Sequence, residues 1–219
     1  MKRALITGAN RGIGLALTRQ LLERGVEVVA ACRTSSAELD ASGAEVVPNV
    51  DVTDDTSIDG LAGAVGQRSI DLLVNNAGIL TQESLDDLDF DRIRQQFEIN
   101  TLGPLRVTRS LLDRLSRGSL VAIVTSLMGS MADNGSGGRY GYRMSKAALN
   151  SAGVSLSHDL RDSGIGVLLL HPGMVATEMT GRRGVSTDQA ASGLLERIDA
   201  FTLDQSGSFR HADGRELPW

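Results

Sequence analysis

Tyr142 and Lys146 stand four residues apart in Tyr142-Arg143-Met144-Ser145-Lys146, at the start of a stretch with helical spacing. Helix positions four apart share a face, one turn from each other. A phenol titrates at about 10 on its own, and an ammonium beside it favours the phenolate and draws that value toward neutrality. Such a tyrosine gives a proton to a carbonyl being reduced, or takes one from an alcohol being oxidised. Tyr140 and Tyr142 are the chain's only tyrosines, and Lys2 and Lys146 its only lysines. The spacing is therefore uncommon by chance, and Tyr140 fails the same test, with Met144 four positions on. The bland alternative is a solvated Tyr–Lys pair on a surface helix. It would be the better reading in a lysine-rich protein.

A second candidate is the turn Gly8-Ala9-Asn10-Arg11-Gly12-Ile13-Gly14, between the apolar run Ala4–Thr7 and a helical pattern. Glycines here let backbone N–H groups approach a pyrophosphate, and the start of the helix adds its positive dipole end. The spacing is neither the G-x-G-x-x-G fingerprint nor a Walker loop, but the mechanics are those of a dinucleotide turn. An ordinary glycine-rich strand-to-helix turn is the competing reading. The adenosine end of such a cofactor falls near Cys32 and Arg33, where an NAD site usually offers a carboxylate to the ribose. No acid follows until Glu38. Arg33, with Arg11 in the turn, suits a 2′-phosphate instead. The expected cofactor is thus NADP, with NADPH preferred over NADH. Asp51, followed by Val52 after the third apolar run, is placed to bond the adenine amino group, to cap a helix, or both.

Ser126 ends the run Ala122–Ser126, and Asn75-Asn76-Ala77-Gly78 ends another. Ligands of parallel sheets sit at the carboxyl ends of strands. A hydroxyl at Ser126 can bond the substrate oxygen beside Tyr142. Thr125 and Ser130 are rivals, but Thr125 points to the opposite face of a strand. Asn100 lies inside a long helical pattern, where asparagine is a poor fit. It reads as a local kink holding a water, or as an incidental polar residue.

The elements that must position these residues alternate along the chain. Short, nearly continuous apolar runs occupy Ala4–Thr7, Val26–Ala31, Glu45–Val50, Ile70–Val74, Leu120–Thr125 and Ile165–Leu170. They read as strands buried on both faces of a parallel sheet. Helical spacing falls at Ile13–Arg24, Ser57–Val65, Phe90–Leu115 and Tyr142–Leu160. Strand–helix repetition of this kind predicts a doubly wound α/β fold, residues 1–219 forming one domain. Met128–Arg139 and Thr180–Thr187 read as the flexible stretches. Asp54 or Thr56 suits the cap of the third segment's helix.

Composition narrows the function. Hydrophobic residues make up 41% and charged residues 22%, values ordinary for a globular protein that buries its own core. The net charge of −5, with no basic run, disfavours nucleic-acid and anionic-membrane binding. One cysteine and three histidines disfavour disulfides and a metal centre. Without a signal peptide or a membrane-length apolar run, the expected location is cytoplasmic. The excess of arginine over lysine hints at a GC-rich bacterial genome.

Together these motifs resemble the short-chain dehydrogenase/reductase family, particularly its small C-factor-like and carbonyl-reductase-like members. The resemblance rests on Thr7-Gly8-x-x-x-Gly12-x-Gly14, Asp51, Asn75–Gly78, Asn100, Ser126, Tyr142-x-x-x-Lys146 and Pro172-Gly173 with Thr177. It extends to Ser126–Ser130, Gly137–Tyr140 and the closing Asp213–Trp219. It implies a Rossmann-type sheet of about seven strands in the order 3-2-1-4-5-6-7, with helices on both faces. It implies a catalytic tetrad of Asn100, Ser126, Tyr142 and Lys146. Tyr142 would be the acid/base, and Ser126 would polarise the carbonyl. Lys146 would tune Tyr142 and bind the nicotinamide ribose, and Asn100 would hold a relay water. Cofactor contacts would come from Gly8, Asn10, Arg11, Gly12, Ile13, Gly14, Arg33, Asp51, Val52, Asn76, Ala77, Gly78, Tyr142, Lys146, Pro172, Gly173, Val175 and Thr177. The activity implied is reduction of a small-molecule carbonyl to an alcohol, or the reverse. The alternative is a C-factor-like signalling protein that binds the cofactor with little turnover. Pairing of the Phe90–Leu115 and Tyr142–Leu160 helices between subunits would give a homodimer or homotetramer. Tyr142 follows Ser126 by 16 positions, longer than is usual in the family, and the excess is expected in Asp133–Gly138 beside the substrate opening. The expected pocket lining is Met128, Asp133–Arg139, Tyr140 and Met179–Val185, mixing apolar and basic character.

Overall fold

A computed structural model describes residues 1–219. Seven parallel strands form one sheet in the order β3-β2-β1-β4-β5-β6-β7. They are β1 (Arg3–Thr7), β2 (Glu27–Ala31), β3 (Glu45–Val47), β4 (Leu72–Asn75), β5 (Leu120–Val124), β6 (Gly166–His171) and β7 (Phe209–His211). The order reverses between β1 and β4, which opens a crevice at the carboxyl ends of those two strands.

The strands are apolar at successive positions because both faces are covered. Ala4 and Ile6 of β1 point into one core with Leu17 and Leu21 of α1 (Gly12–Glu23). Leu194 and Ile198 of α7 (Thr187–Asp199) join that core. Leu5 points to the other face, against Ile58 and Leu61 of α3 (Asp55–Val65) and Leu149 of α6 (Tyr140–Asp159). This alternation is the period-two geometry of a strand serving two helical layers. A short α2 (Ala37–Asp40) precedes β3.

Three expectations are corrected in detail. β3 stops at Val47, short of Val50, because Pro48 has no N–H for the ladder and Asn49 turns the chain at φ 61°. The long Phe90–Leu115 pattern divides into α4 (Phe90–Phe97), a π-turn (Glu98–Leu102), α5 (Gly103–Ser110) and a 3₁₀ turn (Leu112–Arg114). The kink read from Asn100 is this π-turn. Thr180–Thr187, expected to be flexible, is tied down: Val175 pairs with Val185 as an isolated bridge, and Arg182 N–H donates to the Thr177 carbonyl at 2.7 Å. Asp54 caps α3, its carboxylate accepting from the N–H groups of Thr56 and Ser57. No helix is long and apolar enough to cross a membrane.

Candidate active site

The carboxyl edge of β1 is joined to that of β4 by side chains from both. Thr7 Oγ1 accepts from the N–H groups of Asn76 and Ala77, each at 3.1 Å. The Asn76 amide donates back to the carbonyls of Thr7 and Gly8. The Asn76 amide nitrogen and backbone N–H are therefore both committed to joining the two strand ends. Gly14 starts α1 against this junction, where a Cβ would lie 2.3 Å from the Gly8 carbonyl oxygen. No side chain caps α1, and its first turn holds no acidic residue, so its leading N–H groups and positive dipole end stay available.

Across the crevice lies the segment after β6. A Cβ on Gly12 would meet only Thr177 Cγ2, at 3.4 Å. Thr177 begins a 3₁₀ turn (Glu178–Thr180), closed by reciprocal bonds with Thr180. Glu178 pairs with Arg11 over the same gap. Arg11 is thereby drawn toward the β6 side, away from Arg33, and the structure does not bring the two arginines together. Arg33 is exposed beside Asp51 and helps to hold that carboxyl below its usual range. The larger influence on Asp51 is its bond from the Thr53 N–H, at 2.9 Å. Asp51 is not a helix cap, since Asp54 fills that role. Val52 is buried, its side chain packed where a Cβ on Gly103 would come within 2.8 Å, so only its backbone faces outward. Pro172 and Gly173 turn the chain off β6, with Gly173 at φ 82°. Val175 is buried beneath the Thr177 turn.

The four expected catalytic residues converge, all of them less than a tenth exposed. Ser126 follows β5, and its hydroxyl accepts from the Met128 N–H at 3.1 Å. Tyr142 reaches it from α6. Burial pushes the phenol above its ordinary range, and a hydrogen bond with Ser126 draws it partly back. The expected downward pull by Lys146 is not what the structure shows. Its ammonium lies 5.8 Å from the centre of the Tyr142 ring and donates to the Val124 carbonyl at 3.0 Å. Desolvation dominates at the hydroxyl. The same burial lowers Lys146 to about 8. Asn100 lies in the π-turn. Its Oδ1 accepts from the Ile79 N–H, and its Nδ2 donates to the Ile79 carbonyl and to Ser145 Oγ. Gly78 bridges the group, since a Cβ there would be 3.2 Å from Asn100 Oδ1 and 3.7 Å from Lys146 Nζ. Of the rivals, Thr125 turns away and donates to Asn150 Oδ1 at 2.6 Å, while Ser130 Oγ accepts from the Asp133 N–H.

Sequence reasoning passed over His171, the last residue of β6. Its ring packs edge-on to His211 with centroids 5.1 Å apart. Burial above all, then His211 and Arg215, pushes its pKa down to about 4, and Lys146 contributes in the same direction. The only signal in the sequence is its place before Pro172-Gly173. A separate cavity is lined by Gln82, Glu83, Ser84, Asp87 and Ser136–Arg139, none of them hydrophobic.

Known proteins resemble this chain in sequence and fold. A family model described as short chain dehydrogenase matches residues 2–187. The chain belongs to the short-chain dehydrogenase/reductase family and is an oxidoreductase of that family. It is 45% identical over 226 aligned positions, spanning all of both chains, to a protein of Rhodococcus sp. (strain AD45) named 1-hydroxy-2-glutathionyl-2-methyl-3-butene dehydrogenase. It is 47% identical over 154 positions to the C-signal of Myxococcus xanthus, covering 68% of this chain and 93% of that one. Among solved structures, an NADPH-bound carbonyl reductase from chicken fatty liver superposes with a TM-score of 0.92 at 30% identity, covering 100% of this chain and 99% of that one. A Pseudomonas aeruginosa carbonyl reductase in complex with NADP gives 0.86 at 35% identity, with full coverage of both.

Proposed function

We propose that this chain is an NADP(H)-dependent oxidoreductase that reduces a small-molecule carbonyl to an alcohol, or runs the reverse, within one domain. The observation that carries the reading is the buried convergence of the Tyr142 phenol on Ser126, with Lys146 and Asn100 meeting beside Gly78. The crevice fits a dinucleotide: the Gly12 face is bare toward Thr177, and the start of α1 has no cap of its own. Backbone groups of Gly8, Asn10, Gly12, Ile13 and Gly14 would cradle the pyrophosphate with Thr177. Asp51 and Val52 would border the adenine, and Ala77, Gly78, Pro172, Gly173 and Val175 would wall the remaining length. The bound cofactor supplies the hydride.

The chain's own groups handle the proton. Ser126 Oγ holds the substrate oxygen, and Tyr142 Oη gives it a proton in reduction or removes one in oxidation. Lys146, with a pKa of about 8, is an ammonium at neutral pH and would bond the ribose hydroxyls of the cofactor. Asn100 fixes the β4 edge through Ile79 and, in reduction, would hold a relay water that returns a proton toward Tyr142 by way of Lys146, which passes its own proton on and takes one from the water. Tyr142→Phe is expected to lose at least 90% of kcat while NADPH binding, read by fluorescence titration, is kept. A variant with more than a tenth of wild-type kcat would sink the assignment. The Rhodococcus relative is named for an alcohol bearing a glutathionyl group, so such alcohols head the substrate panel.

Cofactor preference follows from charge. Arg33 next to Asp51 offers a 2′-phosphate a charge-assisted bond of about 1.5 kcal/mol, or roughly tenfold in affinity for an exposed site. Arg11 is a second contributor if the phosphate displaces Glu178. Arg33→Ala is expected to weaken NADPH about tenfold and leave NADH within twofold; an unchanged NADPH affinity would show a merely solvated arginine, and an equal loss of both a contact outside the 2′-phosphate. The relation to the Myxococcus C-signal supports a second reading, a signalling protein with little turnover. Sustained turnover across the panel decides against it.

A further inference from the structure

We infer that Glu83, together with Gln96, is a positioning residue that clamps the first turn of α6 and so sets Tyr142 against Ser126. The inference rests on the proposed acid/base role of Tyr142. Helix α6 starts at Tyr140 without a cap of its own. Arg139, before it, is left-handed at φ 49° and ψ 47°, lends no side-chain bond, and no acidic residue lies in the first turn. The leading N–H groups of a helix need partners. Glu83 supplies one from a different part of the chain, its Oε2 accepting from the Gly141 N–H at 3.2 Å. The Glu83 carbonyl also accepts from the Arg139 N–H at 2.7 Å.

The other carboxylate oxygen is equally committed. Oε1 accepts from Gln96 Nε2 at 3.1 Å and from the Thr81 hydroxyl. Gln96 Oε1 accepts in turn from the Thr81 N–H at 3.1 Å. Glu83 is 3% exposed and Gln96 fully buried. No arginine or lysine pairs with Glu83, so its compensation comes from these donors and the positive end of α6. Gly141 completes the clamp. A Cβ there would sit 2.2 Å from Gln96 Nε2 and 3.1 Å from Ile93 Cα, so its lack of a side chain is what lets α6 press onto α4 one residue before Tyr142.

Ser126 and Tyr142 belong to different elements, so their mutual placement depends on how α6 is anchored. A shift of about 1 Å in such a pair costs on the order of a hundredfold in rate. Glu83→Gln keeps the shape but turns an NH₂ group toward a donor. The exchange Glu83→Gln with Gln96→Glu restores a full set of partners: the new glutamate accepts from the Thr81 N–H and from the new amide, while the Thr81 hydroxyl turns from donor to acceptor.

The test follows kcat, KM, NADPH affinity and amide exchange at Gly141 in the whole chain. Glu83→Gln is expected to lower kcat at least tenfold with KM and NADPH affinity within threefold, and to speed Gly141 exchange at least tenfold. The double variant is expected to return kcat and exchange to within threefold of wild type. Should Glu83→Gln not fold, Glu83→Asp, which shortens the same reach, is read by the same criteria. Unchanged Gly141 exchange overturns the proposal, as does a kcat within threefold of wild type, a parallel loss of NADPH binding, or a double variant that recovers exchange without kcat. An active Tyr142→Phe overturns the functional reading instead, and the Gly141 amide tells the two failures apart because it reports on the clamp whatever the substrate.

Discussion

The turn after β1 and the loop after β5 both leave the carboxyl edge of the sheet and both lean on glycine, for opposite reasons. In the first, Gly8 and Gly14 are glycines because other atoms occupy the space of a side chain. A Cβ on Gly8 would lie 2.9 Å from Ala77 Cα, and one on Gly14 nearer still to the backbone. In the second, Gly135 and Gly137 have nothing within 4 Å, and Gly137 serves only to let the chain reverse at φ 62°. Residues 131–137 are exposed throughout, Met131 at 78%. The first segment is held to one backbone geometry by its packing. The second is free of such packing, so its side chains can vary without disturbing the rest.

The sharpest way to break this contrast is Gly14→Ala. The added methyl meets backbone oxygen at 2.3 Å, so the cost is expected to be about 3 kcal/mol of stability with loss of NADPH binding. Chemical denaturation and titration read both, and a fully stable, cofactor-binding variant would show that the turn yields more than its packing suggests. The next test takes the crowding at the end of β6, where His171 packs against His211. His171 is neutral in the fold down to about 4, but takes a proton at about 6.5 once unfolded. Between those values the unfolded chain binds more protons, so stability falls as pH drops through that window, by roughly 3 kcal/mol in full. His171→Asn is expected to flatten that fall between pH 7 and pH 4.5, and an unchanged slope would place its origin elsewhere. The smallest effect belongs to Gly135→Ala, expected to stay within about 0.5 kcal/mol of wild type. A larger thermal shift would mean that this loop is packed after all.

Strands with two apolar faces leave a strong mark in sequence, and β1, β2, β4, β5 and β6 were legible for that reason. β3 and β7 are both three-residue edge strands, and β3 was legible through Val46-Val47, whereas Phe209-Arg210-His211 carries no apolar run. Helix α7 was legible and was passed over: Ala190, Ala191, Leu194, Leu195 and Ile198 keep helical spacing behind the Ser186 cap. The positions of Ser126, Tyr142, Lys146 and Asn100 could be read because their types are rare or ill-suited to their surroundings. What could not be read were pairings between distant segments, such as Arg11 with Glu178 or Glu83 with Gly141. Such contacts depend on how loops return to each other, and local periodicity holds no record of that.

The π-turn at Glu98–Leu102 has a consequence for length variation. Such a turn carries one residue more than the helix around it needs, and each residue advances a helix by about 100°. Deleting one residue there would regularise the spiral and leave α5 nearly in phase, because the turn takes up its extra residue locally. Thr108 would keep Asn75, whose amide it receives at 3.1 Å, and Val107 would keep its place in the core. The cost would fall on Asn100, whose bonds to Ile79 depend on its place in the turn.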